Sequence, residues 1–195
     1  GLPRYRQVAE AYIAGLEDRA ARNESIERIA SVASFFLSRI DVLVDPMLEA
    51  LIKAGGSRAA LAARLQGQVA EASAKVAYQI YKEIFQSERF QKLAGRGGRV
   101  QRLLWASTGT KNPAYSDVKY VEPLIGPQTI STMPEDTLNA YRDHGQPAAR
   151  LETGLEQAYD VLDRLPELGI DIDQVTQQLE DEGIEKFNKP FDKLM

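Results

Sequence analysis

The sequence predicts an α/β fold in which a small sheet is flanked by amphipathic helices. Three short apolar runs, at about 29–37, 100–107 and 128–133, read as strands, and the second, which ends abruptly in turn residues, reads as one buried on both faces. Between and after them lie stretches with apolar residues every three or four positions, the period of a helix with one buried face. Long helical connections between successive strands are what parallel pairing requires.

The first helix is expected over 4–22, where Val8, Tyr12, Ile13 and Leu16 share a face opposite Arg and Glu. That stretch has neither the apolar centre nor the cleavage pattern of a signal peptide. After the first strand, Asp45-Pro46 reads as a helix start with Met47, Leu48, Leu51 and Ile52 inward, and Gly55-Gly56 as its end. A longer helix over 69–85 sets Val76, Ile80 and Ile84 at four-residue spacing and places Lys75, Gln79, Lys82 and Glu83 outside. The run Gly95-Arg96-Gly97-Gly98-Arg99 directly precedes the second strand and reads as a tight helix-to-strand loop rather than a nucleic-acid arm. Even so, Arg89, Lys92, Arg96, Arg99 and Arg102 make this the most basic stretch.

After the third strand, Pro134-Glu135-Asp136 opens a helix carrying Leu138 and Tyr141. His144-Gly145 ends it, where a cation meets the helix dipole. Two more amphipathic helices are expected, over 151–165 with Leu155, Ala158, Leu162 and Leu165, and over 173–187 with Val175, Leu179, Ile184 and Phe187. Within the last, Glu180-Asp181-Glu182 point to different sides and read as a solvated face.

Composition narrows the function classes. With 44% hydrophobic and 27% charged residues among 195, the chain is globular and of one-domain size. A net charge of −4 and a pI near 5.2 argue against a general nucleic-acid or anionic-membrane surface. No apolar run approaches the ~18 residues of a membrane span. The lack of cysteine removes disulfides and thiolate catalysis, and a single histidine removes a His-cluster metal site, so no metal or cofactor is expected. A cytoplasmic location is the simplest fit.

The segment from Leu103 to Asp117 carries the most chemistry. An apolar run ends abruptly at Ser107-Thr108-Gly109-Thr110-Lys111, where glycine permits close backbone approach and hydroxyls, amides and a lysine can meet phosphate oxygens. Pro113 and Ser116-Asp117 suggest that a helix follows, whose N-terminus also favours an anion. From these residues alone, a phosphate site and an ordinary strand-to-helix turn with a solvated lysine stand side by side.

WASTGTKNPAYSD at 105–117, with SVASFFLSRID upstream and TISTMPEDTLNAYRDHG and LEDEGIEKF downstream, closely resembles the transaldolase family, specifically its longer bacterial branch. The resemblance implies the C-terminal part of a (β/α)8 TIM barrel, with the three strands as strands six to eight. A complete barrel of this kind needs eight strands and typically about 250 residues. Residues 1–150 would form the partial barrel from helix five to helix eight, and 151–195 a C-terminal helical extension packing on it.

Transaldolases transfer a dihydroxyacetone unit between sugar phosphates through a Schiff base, a step of the pentose phosphate pathway. By resemblance, the Schiff-base lysine lies in a motif like Lys-Ile-Pro-Ala-Thr, which does not occur here. The lysine and the acid/base carboxylates are therefore expected outside this chain, which would supply the phosphate-binding side and be inactive alone. The same resemblance puts Ser34 and Phe36 near the reacting carbons, Arg39 on the phosphate, and Ser107 and Lys111 beside it. Shorter family members carry Ser-Phe-Arg where Thr108-Gly109-Thr110 here separates Ser107 from Lys111, and lysine is a point charge without the arginine fork.

Other readings remain beside these. Arg39 and Asp41 would make a surface ion pair of little worth, and Ser34 and Phe36 would simply line the barrel interior. Lys111 would itself form the imine if it were buried. The expected partners are a sugar phosphate and either the N-terminal part of the same barrel or another copy of the chain, with neither nucleic acid nor membrane. The alternative to an enzyme is a non-catalytic half-barrel or self-associating interaction module, since a three-stranded sheet leaves two edges to be covered.

Overall fold

The computed structural model describes residues 1–194, apart from the side chains of residues 187, 189 and 192–194. Helix α1 (Leu2–Ala21) leads into strand β1 (Ser31–Phe36), and four helices follow before the next strand: α2 (Ser38–Ala54), α3 (Ala59–Leu65), α4 (Val69–Phe85) and α5 (Glu88–Ala94). Strand β2 (Gln101–Ala106), a 3₁₀ turn (Glu122–Leu124), strand β3 (Thr129–Ser131) and helices α6 (Glu135–His144), α7 (Leu155–Arg164) and α8 (Ile172–Leu194) complete the chain. A second 3₁₀ turn, Leu165–Leu168, joins the last two helices.

The sheet runs in the order β1-β2-β3, and both pairings are parallel. Phe35 lies beside Trp105, which lies beside Ser131. The burial on both faces expected of β2 does not hold, because Arg102 is exposed and Leu104 half-buried on one side of it, and β1 alternates buried and exposed positions. Ala33, Phe35, Leu103 and Trp105 face the core, where the Phe35 and Trp105 rings meet edge to face at 6.2 Å. Val32, Ser34 and Phe36 point the other way, onto an open face. The strands are also shorter than expected. Leu37 already adopts helical backbone angles, so β1 passes into α2 without a loop.

The first helix buries Tyr5, Ala9, Ile13, Leu16 and Ala20, whereas Val8, expected inward, is 40% exposed. Helix α2 begins at Ser38, not at Asp45-Pro46. Its buried row is Ile40, Val44 and Leu48, whose four-residue spacing reaches back past the proline. Pro46 sits inside the helix and leaves the Val42 carbonyl without its amide partner on a turn whose side chain is 54% exposed. Met47, expected inward, is exposed for the same reason of phase.

Helix α4 has the bounds the sequence predicts, and it is the centre of the packing, with α1, α2 and α7 against it. An aromatic series from Tyr78 through Tyr81 and Phe85 to Phe90 fills the space beside it. Because helices surround it, even Lys75, expected outside, is only 7% exposed. Its ammonium donates to the Thr153 carbonyl at 2.9 Å and pairs with Glu71 at 2.8 Å. The Gly95–Arg99 stretch is a tight turn: the Gly98 amide reaches the Leu93 carbonyl, and a Cβ at Gly98 would come within 2.8 Å of that oxygen.

Residues 113–121 form turns, not the helix expected after Lys111. Local side-chain bonds take the place of a helix there: Asn112 Oδ1 accepts from the Ala114 amide, and Ser116 Oγ from the Val118 amide. Helix α7 begins only at Leu155, after Gly154 in left-handed geometry, and Leu151 is buried ahead of it. In α6 the buried residue is Thr137, with Leu138 42% exposed. Helix α8 extends past the expected end. It buries Val175, leaves Ile184 52% exposed, and carries Phe187, whose side chain lies outside the described residues. No helix is long and apolar enough to cross a membrane.

Lys75→Met keeps the apolar stem and deletes the ammonium, leaving the Thr153 carbonyl and Glu71 without their donor. Urea unfolding should show a loss of about 1–2 kcal/mol. Unchanged stability would mean that the buried lysine holds nothing in place.

Candidate functional site

The open face of the sheet and the C-terminal ends of its strands carry the polar residues singled out by sequence. Ser34 and Phe36 share the open face of β1 because side chains alternate along a strand, and Arg39 follows in the first turn of α2. All three line one cavity of about 580 Å³, together with Val32, Val8 and Arg4. Helix α8 closes its far side with Leu179, Glu180 and Ile184. There Arg4 grips the Glu180 carboxylate with two nitrogens, at 3.0 and 2.9 Å, so Glu180 is not part of a purely solvated face. Asp181 and Glu182 accept from Gln177 and Gln178 on their own helix.

The Arg39 guanidinium lies over the Phe36 ring at 4.7 Å from its centre. Among the described residues it has no carboxylate partner, and Asp41 is turned away into the core. The surface Arg39–Asp41 pair considered from sequence is thus absent. An exposed arginine held on an aromatic platform, with its donors unused, is ready to take an oxyanion in a bidentate grip.

Ser107 stands at the end of β2 with φ at +56°, a left-handed conformation that turns the chain sharply. Its hydroxyl meets that of Ser38 at 2.8 Å, and its carbonyl accepts from the Ser38 amide. From sequence, Ser38 stands with Arg39 at the exit of the first strand but has no role assigned to it. Thr108 is fully buried and donates to the Thr132 carbonyl at 2.5 Å, so the ends of all three strands are laced together. Gly109 serves close approach: a Cβ there would lie 3.1 Å from Pro134 and 3.9 Å from the Lys111 ammonium.

Lys111 is exposed and folds back over Gly109. Neither it nor Ser107 lines the cavity that Arg39 shares with Ser34 and Phe36. The burial that imine chemistry at Lys111 would call for is not found. The sequence also gave no sign of what fixes its loop. Asp41 and Asp45, one turn apart on α2 and both buried, accept hydrogen bonds from the Tyr120 hydroxyl at 2.8 Å and the Tyr115 hydroxyl at 2.7 Å. Their other oxygens take the Ala70 and Gly67 amides, each at 2.8 Å. Lys119 lies against both tyrosine rings and donates to the Gly67 carbonyl.

Burial is the main reason that Asp41 is raised, to about 6, with the Ala70 amide and the Tyr120 hydroxyl pulling the other way. The same burial, and the carboxylates they face, push both phenols up, so they stay protonated donors. At the far end of the loop the His144 ring meets Asp117 at 2.9 Å, which raises the imidazole. His144 thus ends α6, as expected, and also joins that helix to the loop. Among the described residues no cluster of His, Cys, Asp and Glu has the makings of a metal site.

A sequence model described as transaldolase/fructose-6-phosphate aldolase matches residues 1–195. The protein named transaldolase in Trichodesmium erythraeum (strain IMS101) is 51% identical over 195 residues, 98% of this chain and 51% of that protein. Transaldolase 2 of Nostoc sp. (strain PCC 7120) is 51% identical over 196 residues, with the same coverage. The transaldolase of Saccharopolyspora erythraea is 46% identical over 195 residues, 100% of this chain and 51% of that protein. The chain spans about half the length of these curated relatives.

Calorimetric titration with inorganic phosphate at low ionic strength tests the oxyanion grip. Arg39→Ala should weaken binding about tenfold, the worth of one charge-assisted bond. Phe36→Leu, which removes only the platform, should cost about two- to fivefold. Equal affinities across the set would place the anion elsewhere.

Stability should also depend on pH through Asp41. Its folded value of about 6 exceeds the ordinary 3.8, so the folded state holds this proton more tightly than the unfolded state. The contribution is fully present below about 3.8 and is lost as pH rises through 6, by up to about 3 kcal/mol. Asp41→Asn should flatten urea-unfolding stability across that window, and an unchanged slope would exonerate Asp41.

Proposed function

Because the chain belongs to the transaldolase/fructose-6-phosphate aldolase family, we propose that it is the phosphate-binding side of a transaldolase, holding a ketose phosphate such as fructose 6-phosphate or sedoheptulose 7-phosphate. The observation that carries this reading is Arg39, set over the Phe36 ring with its donors free among the described residues, in the cavity that Ser34 also lines. In this proposal β1, β2 and β3 are strands six, seven and eight of a (β/α)8 barrel, whose sites lie at the C-terminal ends of the strands. Residues 1–150 are the barrel portion and 151–195 the extension over it, a role that suits α8 as the far wall of the cavity.

The reaction proposed for the assembled enzyme proceeds by a Schiff base. A lysine amine from the remaining half of the barrel condenses with the ketose carbonyl and releases water. The carbon–carbon bond one removed from the imine carbon, between C3 and C4, then breaks as a base takes the C4 hydroxyl proton. C4 leaves as the aldehyde of an aldose phosphate, and the electron pair stays on C3 of the dihydroxyacetone unit, conjugated with the imine. That carbanion adds to a second aldose phosphate, and water releases the product from the lysine.

Arg39, with Ser107 and Lys111 beside it, grips the phosphate far from the reacting bond, contributing orientation and remote binding energy. Ser34 and Phe36 border the reacting carbons. By itself the chain binds sugar phosphate weakly and does not turn it over. The setting is the cytoplasm, within the pentose phosphate pathway.

A second reading draws on the sheet. Among the described residues β1 and β3 pair only with β2, so each outer edge lacks a neighbour. Such edges invite another strand, either from the rest of the barrel or from a second copy of the chain.

Borohydride trapping with fructose 6-phosphate, followed by intact-mass analysis, tests the assignment. The 21.7 kDa chain should remain unmodified while still binding the sugar phosphate through Arg39. A reduced dihydroxyacetone adduct on it would move the nucleophile into this chain, with Lys111 the first residue to examine. Light scattering on the same sample separates the second reading: concentration-dependent dimers favour self-association, and a monomer counts against it.

A further inference from the structure

We infer that Tyr115, anchored on Asp45, is a positioning residue that sets Lys111 relative to Arg39 by tying both cations to helix α2. The inference rests on the phosphate-binding reading given above. Arg39 belongs to the first turn of α2, and Asp45 lies on the same helix six residues further on. Tyr115 donates to the Asp45 carboxylate at 2.7 Å. Lys111 and Tyr115 belong to one small ring of chain, which the Thr110 hydroxyl closes by donating to the Ser116 carbonyl at 2.8 Å.

Within that ring the Asn112 side chain and carbonyl take the Ala114 and Tyr115 amides, so the backbone between Lys111 and Tyr115 has little freedom. A displacement of Tyr115 therefore carries Lys111 with it. The seat beneath Tyr115 is equally constrained. Gly67 has φ at +70°, and a Cβ there would come within 2.7 Å of the Tyr115 hydroxyl. The Gly67 amide holds the other Asp45 oxygen, so the carboxylate cannot rotate away from the phenol without losing a buried bond. Tyr120 on Asp41 makes a second tether further along the loop, outside the ring that holds Lys111.

Lysine makes this device necessary. A lone ammonium on a flexible stem reads no geometry of its own, so its place relative to the arginine fork must come from the backbone that carries it. Thr108-Gly109-Thr110 separate that lysine from Ser107 at the strand end, so its place is set by the contacts of the loop and not by the strand itself.

Two measurements on the chain, taken together, test the inference. Hydrogen exchange should show faster exchange of the amides around Lys111 in Tyr115→Phe than in the wild type, with α4 and the sheet unchanged. Calorimetric titration with inorganic phosphate should show Tyr115→Phe weakening binding about three- to tenfold in the wild-type background but hardly at all once Lys111→Ala is present. Unaltered loop exchange overturns the inference, and so does an equal loss of affinity in both backgrounds, which would mark the tyrosine as merely structural. If Tyr115→Phe fails to fold, Asp45→Asn, which keeps the volume and one acceptor, carries the same two readings. A wild-type chain that binds neither phosphate nor fructose 6-phosphate would overturn the phosphate reading instead, and loop exchange would still decide whether the tether exists.

Discussion

Two carboxylates buried one turn apart on helix α2 hold the functional end of this molecule together. Asp41 and Asp45 each take one backbone amide from the segment around the start of α4 and one tyrosine hydroxyl from the loop after β2. A buried carboxylate is costly unless its lone pairs are filled, and here four donors fill them. Three segments far apart in sequence thus meet in one polar knot, built on the helix that carries Arg39 in its first turn. The loop from 107 to 121, which has no regular structure of its own, depends on that knot for its shape.

The same economy appears on the other side of the sheet. The strands bury one face against helices and leave Val32, Ser34 and Phe36 to a cavity walled by α1 and α8. Phe36 is spared from the core and becomes a platform for Arg39. Serine and threonine hydroxyls lace the strand ends across β1, β2 and β3, which fixes the rim without a regular helix after β2. Arg39 thus stands on a rim held by hydrogen bonds between strand ends rather than on a free loop.

Helix α4 was legible to its ends because its apolar period is strong, and the three strands were legible as apolar runs stopped by turn residues. Much else turned on packing phase. Pro46 looked like a helix start, yet the row Ile40, Val44 and Leu48 carries α2 back to Ser38. Lys75 looked like a surface residue, yet α7 arrives from far along the chain and covers it. Seven-residue helices such as α3 and α5 carry too few turns to leave a periodic signal. Of the candidate site, the sequence brought out Ser34, Phe36, Arg39, Ser107 and Lys111, assigned Ser38 no role, and did not point to the tyrosines and aspartates beneath the loop.

By itself the sequence determined the α/β class, the order of strands and main helices, and the family, because periodicity, turn residues and motif spacing are local properties. Only the tertiary structure decided which face of the sheet stays open, which lysine is buried and where Asp41 and Asp45 of α2 point. Those outcomes follow from contacts between segments dozens of residues apart, and burial changes the meaning of a side chain without changing its spelling. Asp41 beside Arg39 reads as half of a surface pair, and only the arrival of Tyr120 and the Ala70 amide makes it a buried acceptor.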